Sequence, residues 1–282
     1  MVARWSPRPG RLLRSSARYA VLGFFALVTG YPVLWMVMES LKSTFEMYSN
    51  AWGLPSHLML SNYVDAWVVA RIGVYILNSV IVSLGTVAVV LAASSLAAYA
   101  FSKFSFPGNR VLFYLFILTL IVPQQNAIIP LYAVVAGLHL MDTYFALILP
   151  YAAGGLPFSI FLLSAFFDSV PREIEDAARV DGCSNFSAFW RIVLPISVPG
   201  LATITIFQFL GAWNEFFLAL IFIRSAALRT IPLGLQAFFF EYSTDWGPLF
   251  AALSMVTVPV VVVYLLMQRQ FIQGLTAGAV KA

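Results

Sequence analysis

Apolar residues in this 282-residue chain gather in long runs, without the strict alternation of a half-buried strand. Six runs stand out, at about Tyr19–Met38, Tyr75–Phe101, Val111–Ala136, Tyr144–Phe167, Gly200–Ile223 and Leu249–Met267. Each is close to the roughly 20 apolar residues a helix needs to cross a bilayer. Spanning backbone must close its hydrogen bonds internally, and the short alternating segments of a β-barrel do not occur. The pattern predicts an all-α membrane protein with six transmembrane helices: a basic leader at 1–18, a membrane domain at 19–270 and a tail at 271–282.

Polar stretches separate the runs. Glu39–Val74 carries Trp52, Pro55, Asn62 and Trp67, a mixture that predicts short helices at a membrane interface. Ser102–Arg110 and Gly137–Thr143 read as tight turns, and Arg224–Pro248 as a longer aromatic loop. Pro123, Pro130, Pro150, Pro157 and Pro259 fall inside runs. Such prolines serve either as packing kinks or as bends beside a translocation path. Ala92, Ala93, Ser94, Ser95, Ala97 and Ala98 make the second run small-sided, suited to close helix approach.

One segment breaks the pattern. Pro171–Pro199, inside a linker at 168–199 between runs four and five, is charged and amphipathic in a chain that is 61% hydrophobic and 10% charged. Pro171 suits a helix start. Ile174, Ala177 and Ala178 then share a face, and Arg172–Asp176 and Glu175–Arg179 are opposite charges four apart. Gly182 stands where a helix end wants a positive φ, and Ser184 can cap a second helix. On that helix Phe186, Phe189, Trp190 and Val193 recur with helical spacing, and Leu194–Pro195 should end it. The expectation is a helix-turn-helix with a small face and an aromatic face. It suits either the membrane surface or a groove on a partner protein.

Charge sets the expected topology. With the N-terminus inside, Arg4, Arg8, Arg11, Arg14, Arg18, Lys103, Arg110, Arg172, Arg179, Arg191, Arg269 and Lys281 are internal, and Lys42, Arg71, Arg224 and Arg229 external. The positive-inside rule thus places both termini and the 171–199 island in the cytoplasm. The leader reads as a topology signal beside a retained first span, neither a cleaved signal peptide nor a nucleic-acid arm. Cys183 is the only cysteine, so no intrachain disulfide can form. His57 and His139 lie in different loops, and no metal site is legible.

The island resembles the coupling motif of the inner-membrane permease subunits of bacterial ABC importers, which runs Glu-Ala-Ala, three residues, Gly, nine residues, Ile, one residue, Leu-Pro. Here it reads Asp176-Ala177-Ala178, Gly182, Ile192 and Leu194-Pro195, with Asp181 before the glycine. Asp176 keeps the motif's charge on a shorter arm. VPQQNAIIPLY, WNEFFLALIF and QRQFIQGLTAGAVKA also resemble the carbohydrate-uptake branch, in its second, six-span permease type, similar to the maltose and glycerol-3-phosphate permeases.

The resemblance implies import of a sugar or oligosaccharide across a bacterial or archaeal cytoplasmic membrane, by a chain embedded in the lipid bilayer beside a second homologous permease. Two cytoplasmic ATPase subunits would hold ATP and Mg, and a solute-binding protein would deliver the substrate outside. Phe186 and Phe189 join the motif residues as expected ATPase-coupling positions, and Phe239, Tyr242 and Trp246 are expected contacts for the binding protein. Membrane-interface anchoring is the other role for those aromatics. No cofactor is expected in this chain itself. A phosphate loop requires Gly-Lys followed by Ser or Thr, whereas Lys42, Lys103 and Lys281 follow Leu41, Ser102 and Val280. Any ATP hydrolysis therefore belongs to another polypeptide.

Glu215 is the acid well inside an apolar run, where charge must face protein or a hydrated cavity. Three roles fit it: a helix contact, cavity lining, or ion coupling. Gln208, seven residues earlier, shares its face, and Asn214 adjoins it. Gln124 and Gln125 follow Pro123. These five form an expected polar path, although Gln124 and Gln125 suit helix contacts equally well. A stand-alone secondary transporter is the alternative reading, but it calls for several intramembrane ionisable residues. An intramembrane enzyme would need converging acids, histidines or an activated nucleophile, which are scattered here.

Overall fold

The computed structural model describes residues 9–122, 127–240 and 246–279, and every regular element among them is helical. They form two compact units, one from Met1–Ala70 and Glu241–Met255, the other from Arg71–Phe240 and Val256–Ala282.

In the first unit, α1 (Pro9–Glu39) presents an apolar stretch from Arg18 to Glu39 with Phe24, Leu27 and Leu34 well exposed. Two short helices follow, α2 (Thr44–Ser49) and α3 (Ser61–Val68). The link between α1 and α2 is organised around a buried ion pair, with Lys42 Nζ 2.5 Å from Glu39 Oε1. Lys42 also donates to Asn50 O, while Asn62 Nδ2 donates to Ser40 O and Lys42 O at 2.9 Å. The buried polar groups of this corner thus satisfy one another. Trp35 donates to Ala51 O and meets Phe250 edge-on, near the start of α14 (Trp246–Ala279). In α2, the Ser56 backbone N–H bonded to Glu46 holds that carboxyl below its ordinary pKa.

The second unit is built on α4 (Ile72–Lys103) and α7 (Phe145–Asp168). Small residues on the buried face of α4, Ser79, Ser83, Ser94, Ser95 and Ala98, let the two helices pack closely. One end of the core joins Val82, Leu147, Ile148 and Phe222; the other joins Val90, Tyr99, Phe167, Phe189 and Ile204. Pro150 and Pro157 lie within the continuous α7.

Two of the six runs differ from expectation. The run at 111–136 becomes α5 (Asn109–Thr119) and α6 (Ile128–Gly137), each too short to span alone, with 123–126 outside the described residues. The run at 200–223 becomes α11 (Val198–Asn214) and the short α12 (Phe217–Phe222), broken at Glu215–Phe216 and followed by α13 (Ile231–Phe240). Among the described residues, Arg18–Glu39, α4, α7 and Trp246–Gln270 are long and apolar enough to cross a membrane. The pair Asn185–Ile196 and Val198–Asn214, bent by 75°, makes a fifth if counted as one.

Candidate functional site

The 171–199 island folds as α8 (Arg172–Val180), a tight turn and α9 (Asn185–Ala188). Gly182 has φ +86°; its N–H donates to Arg179 O, and the Cys183 N–H donates to Ala178 O. These two bonds close α8 in the way a left-handed C′ residue allows. Ser184 Oγ accepts from the Ser187 N–H and starts α9. The turn follows the sequence reading. The faces and charge pairs do not.

Glu175 and Ala178 are the buried positions of α8, whereas Asp176, Ala177 and Ile174 are exposed. The expected Glu175–Arg179 and Arg172–Asp176 pairs are replaced. Arg179 Nη1 lies 2.9 Å from Asp176 Oδ1, and its Nε donates to Asn185 Oδ1, bridging the two helices. The carboxylate of Glu175 turns inward to Lys103 Nζ at 2.7 Å, with both side chains almost fully buried. Oε1 lacks hydrogen-bond alignment, so this contact is a charge–charge one.

The second helix also departs from expectation at its end. Leu194 is helical (φ −62°, ψ −48°) despite preceding a proline. A π-helical turn at Phe189–Val193 widens the backbone, Leu194 N–H bonds to Phe189 O, and Pro195 is carried in α10 (Leu194–Ile196). The wide turn shifts the ladder by one residue, so the proline's missing donor falls where the regular pattern is already interrupted. The bend comes at Ser197 instead. Phe189, Ala188 and Val193 face the core, Ile192 and Leu194 are half-buried, and Phe186 and Trp190 point outward with Val180 and Ile174. Together with the exposed Asp181, Gly182 and Pro195, these outward side chains form an unburied surface on the island.

A second feature is a cavity of about 480 Å³ between α6, α7 and the α11–α12 break, a size typical of small-molecule sites. Leu131, Pro150, Gly154 and Phe217 give it an apolar wall, and Tyr151 and Glu215 give it a polar corner. Glu215 was expected inside a helix. It instead adopts extended backbone (ψ 125°) at the end of α11, and its carboxylate accepts from the N–H groups of Leu218 and Ala219 and from Tyr151 Oη at 2.5 Å. A chain break inside an apolar run leaves backbone donors without partners, and this carboxylate supplies them.

Gln208 Nε2 donates to Gly155 O and Ser159 Oγ, fastening α11 to α7. Asn214 is exposed and donates to Leu210 O. Gln124, Gln125, Tyr242 and the side chain of Phe239 lie outside the described residues. Trp246 is half-buried at the start of α14, 6.4 Å from Phe250. The structure thus gathers the motif residues on one segment and sets Glu215 at a cavity.

Sequence reasoning missed Tyr99, Lys103 and Tyr151. Lys103 had one signal: a lone cation in the last turn of a long apolar helix, which here needs a buried partner. Tyr99 and Tyr151, as aromatics inside apolar runs, carried none.

Residues 85–276 match the family described as "binding-protein-dependent transport system inner membrane component". The chain is 40% identical over 275 residues to a probable ABC transporter permease, YurM, of Bacillus subtilis, covering 98% of this chain and 91% of that one. It is 37% identical to the diacetylchitobiose uptake system permease NgcG of Streptomyces coelicolor, covering 92% and 87%. Its fold is similar to a chain in the crystal structure of a bacterial ABC transporter involved in alginate import, with TM-score 0.78, 24% identity, and 95% and 100% coverage. This chain belongs to the family of binding-protein-dependent transport system inner membrane components.

Proposed function

We propose that this chain is a permease subunit of an ATP-driven ABC importer that carries a sugar or oligosaccharide across the cytoplasmic membrane. The observation that carries the reading is the island: the spacing from Asp176 through Gly182 to Leu194–Pro195, on a segment whose turn is closed and whose Phe186, Trp190 and Val180 are unburied. An outward apolar face on an otherwise charged segment suits docking into a partner's cleft. The family's name supports dependence on a binding protein, and diacetylchitobiose uptake by NgcG supports an oligosaccharide substrate.

In this reading six spans cross the membrane, with α5 and α6 together forming the third, and both termini and the island are cytoplasmic. Residues 1–18 are the leader, 19–270 the permease domain and 271–282 the tail. Asp176, Ala177, Ala178, Asp181, Gly182, Phe186, Phe189, Ile192, Leu194 and Pro195 form the ATPase-coupling element. A second permease completes the path, two ATPase subunits hold ATP and Mg, and a solute-binding protein docks outside, with Phe239, Tyr242 and Trp246 as its contacts. Gln124, Gln125, Gln208, Asn214 and Glu215 belong to the substrate path, and the cavity beside Glu215 is its part within this subunit. ATP-driven closure of the ATPases moves the island and opens the path outward.

The test is uptake of labelled oligosaccharides by proteoliposomes holding this chain with its co-purified subunits and binding protein. Uptake that requires internal ATP and the binding protein is expected. Uptake by the chain alone, driven by an ion gradient, would overturn the proposal.

A further inference from the structure

The island is covalently joined to α7 and α11, yet its densest polar attachments run to a third helix. Tyr99 and Lys103, in the last two turns of α4, hold it, and Ser102 beside them holds the end of α7. Lys103 Nζ donates to Val170 O at the entry to the island and lies 2.7 Å from Glu175 Oε1 within α8. Ser102 Oγ donates to Asp168 Oδ1 at 2.6 Å, at the end of α7. Tyr99 Oη lies 3.2 Å from Glu175 Oε2 and 3.3 Å from Asn185 O, so its one proton faces both island helices. The Tyr99 ring also rests against Phe189, with centroids 4.9 Å apart, and against Phe167.

The side chains of Glu175 and Lys103 are both almost fully buried, so bulk water screens this link only weakly. A buried charge pair resists separation strongly, because parting it strands both charges in a poor solvent. A force on α8 therefore reaches the end of α4 before the attachment can give. At the other end of α4, Asn78 donates to Ala227 O and Arg229 O and accepts from Tyr144 Oη, tying the same helix to the chain beyond α12 and to the start of α7. Over its 32 residues α4 can act as one rod joining two well-anchored ends.

We propose that Lys103 and Glu175 are positioning residues for transport: their buried ion pair makes α4 the helix that receives the movement of the coupling island. This rests on the coupling role proposed above. Neither residue is among the motif positions that would face the ATPase.

The test uses the complex co-purified with the tagged chain. In a Cys183→Ser background, a single cysteine at Val74→Cys, near the far end of α4, reports labelling by a membrane-impermeant maleimide, with and without ATP and vanadate. In the parent, nucleotide trapping should change the labelling rate. Lys103→Gln should keep the co-purified ATPase and its basal hydrolysis while the nucleotide-dependent change in labelling is lost. The exchange Lys103→Glu with Glu175→Lys should restore part of that change. A role in folding alone would instead lower ATPase recovery and labelling response together, and would overturn the proposal. So would a parent without a nucleotide response, or Lys103→Gln with the parent's response. A parent that brings down no ATPase would overturn the coupling role itself, and this inference with it.

Discussion

Glu215 offers the sharpest test of the break between α11 and α12. Its carboxylate takes the N–H groups of Leu218 and Ala219, as a helix cap does, and the hydroxyl of Tyr151 across the cavity. Losing a capping side chain costs about 1 kcal/mol, and a hydrogen bond to a charged group contributes about 1.5–3 kcal/mol. Glu215→Ala strands all three donors, so a loss of about 2–4 kcal/mol is expected. At roughly 2–4 °C per kcal/mol for a domain of this size, the apparent unfolding temperature in detergent should fall by about 5–15 °C. Glu215→Gln keeps an acceptor oxygen and should lose less than half as much. Tyr151→Phe removes one partner, and a cycle with Glu215→Ala should give a coupling of at least about 1 kcal/mol, as groups in direct contact do. An alanine variant as stable as the parent, or a cycle that closes to zero, would refute the capping account.

Three further outcomes follow from the packing. At Gly182, φ +86° strains any residue with a Cβ by about 1–2 kcal/mol, and asparagine least, although no neighbour lies within 4 Å of an added Cβ. Gly182→Ala should therefore speed amide exchange at Cys183, and Gly182→Asn much less. Lys42→Met should destabilise the first unit by about 3–5 kcal/mol by leaving Glu39 buried and unpaired, and adding Glu39→Leu should recover most of that in thermal unfolding. An added Cβ at Gly234 would fall on the ring of Tyr75, so Gly234→Ala should cost about 1–3 kcal/mol by the same measurement.

The apolar runs made the long helices legible, because hydropathy reads length directly; α4, α7 and the Arg18–Glu39 stretch follow them closely. Breaks were hidden where a few polar residues interrupt an apolar run. Glu215 looked like a charge within a span, while the structure uses it to end one helix and start the next. The turn at Gly182 was readable because glycine and Ser184 have local backbone roles. The partner of Glu175 was not, because it comes from Lys103, distant in sequence, and local spacing pointed to Arg179. Pro195 misled for a related reason: the rule that proline ends a helix assumes a regular ladder, and the π turn before it changes that ladder. The exposure of Phe186 and Trp190 beside the buried Phe189 likewise depends on how α4 and α7 pack against the island.

The most direct measurement is gentle affinity purification of the tagged chain from its native membrane, with its companions identified by mass spectrometry. The account predicts a nucleotide-binding ATPase and a second permease in fixed ratio, retained with Gly182→Asn and lost with Gly182→Trp, whose bulk would meet the docked partner. A chain that elutes alone, under conditions where multi-subunit importers stay together, would contradict it.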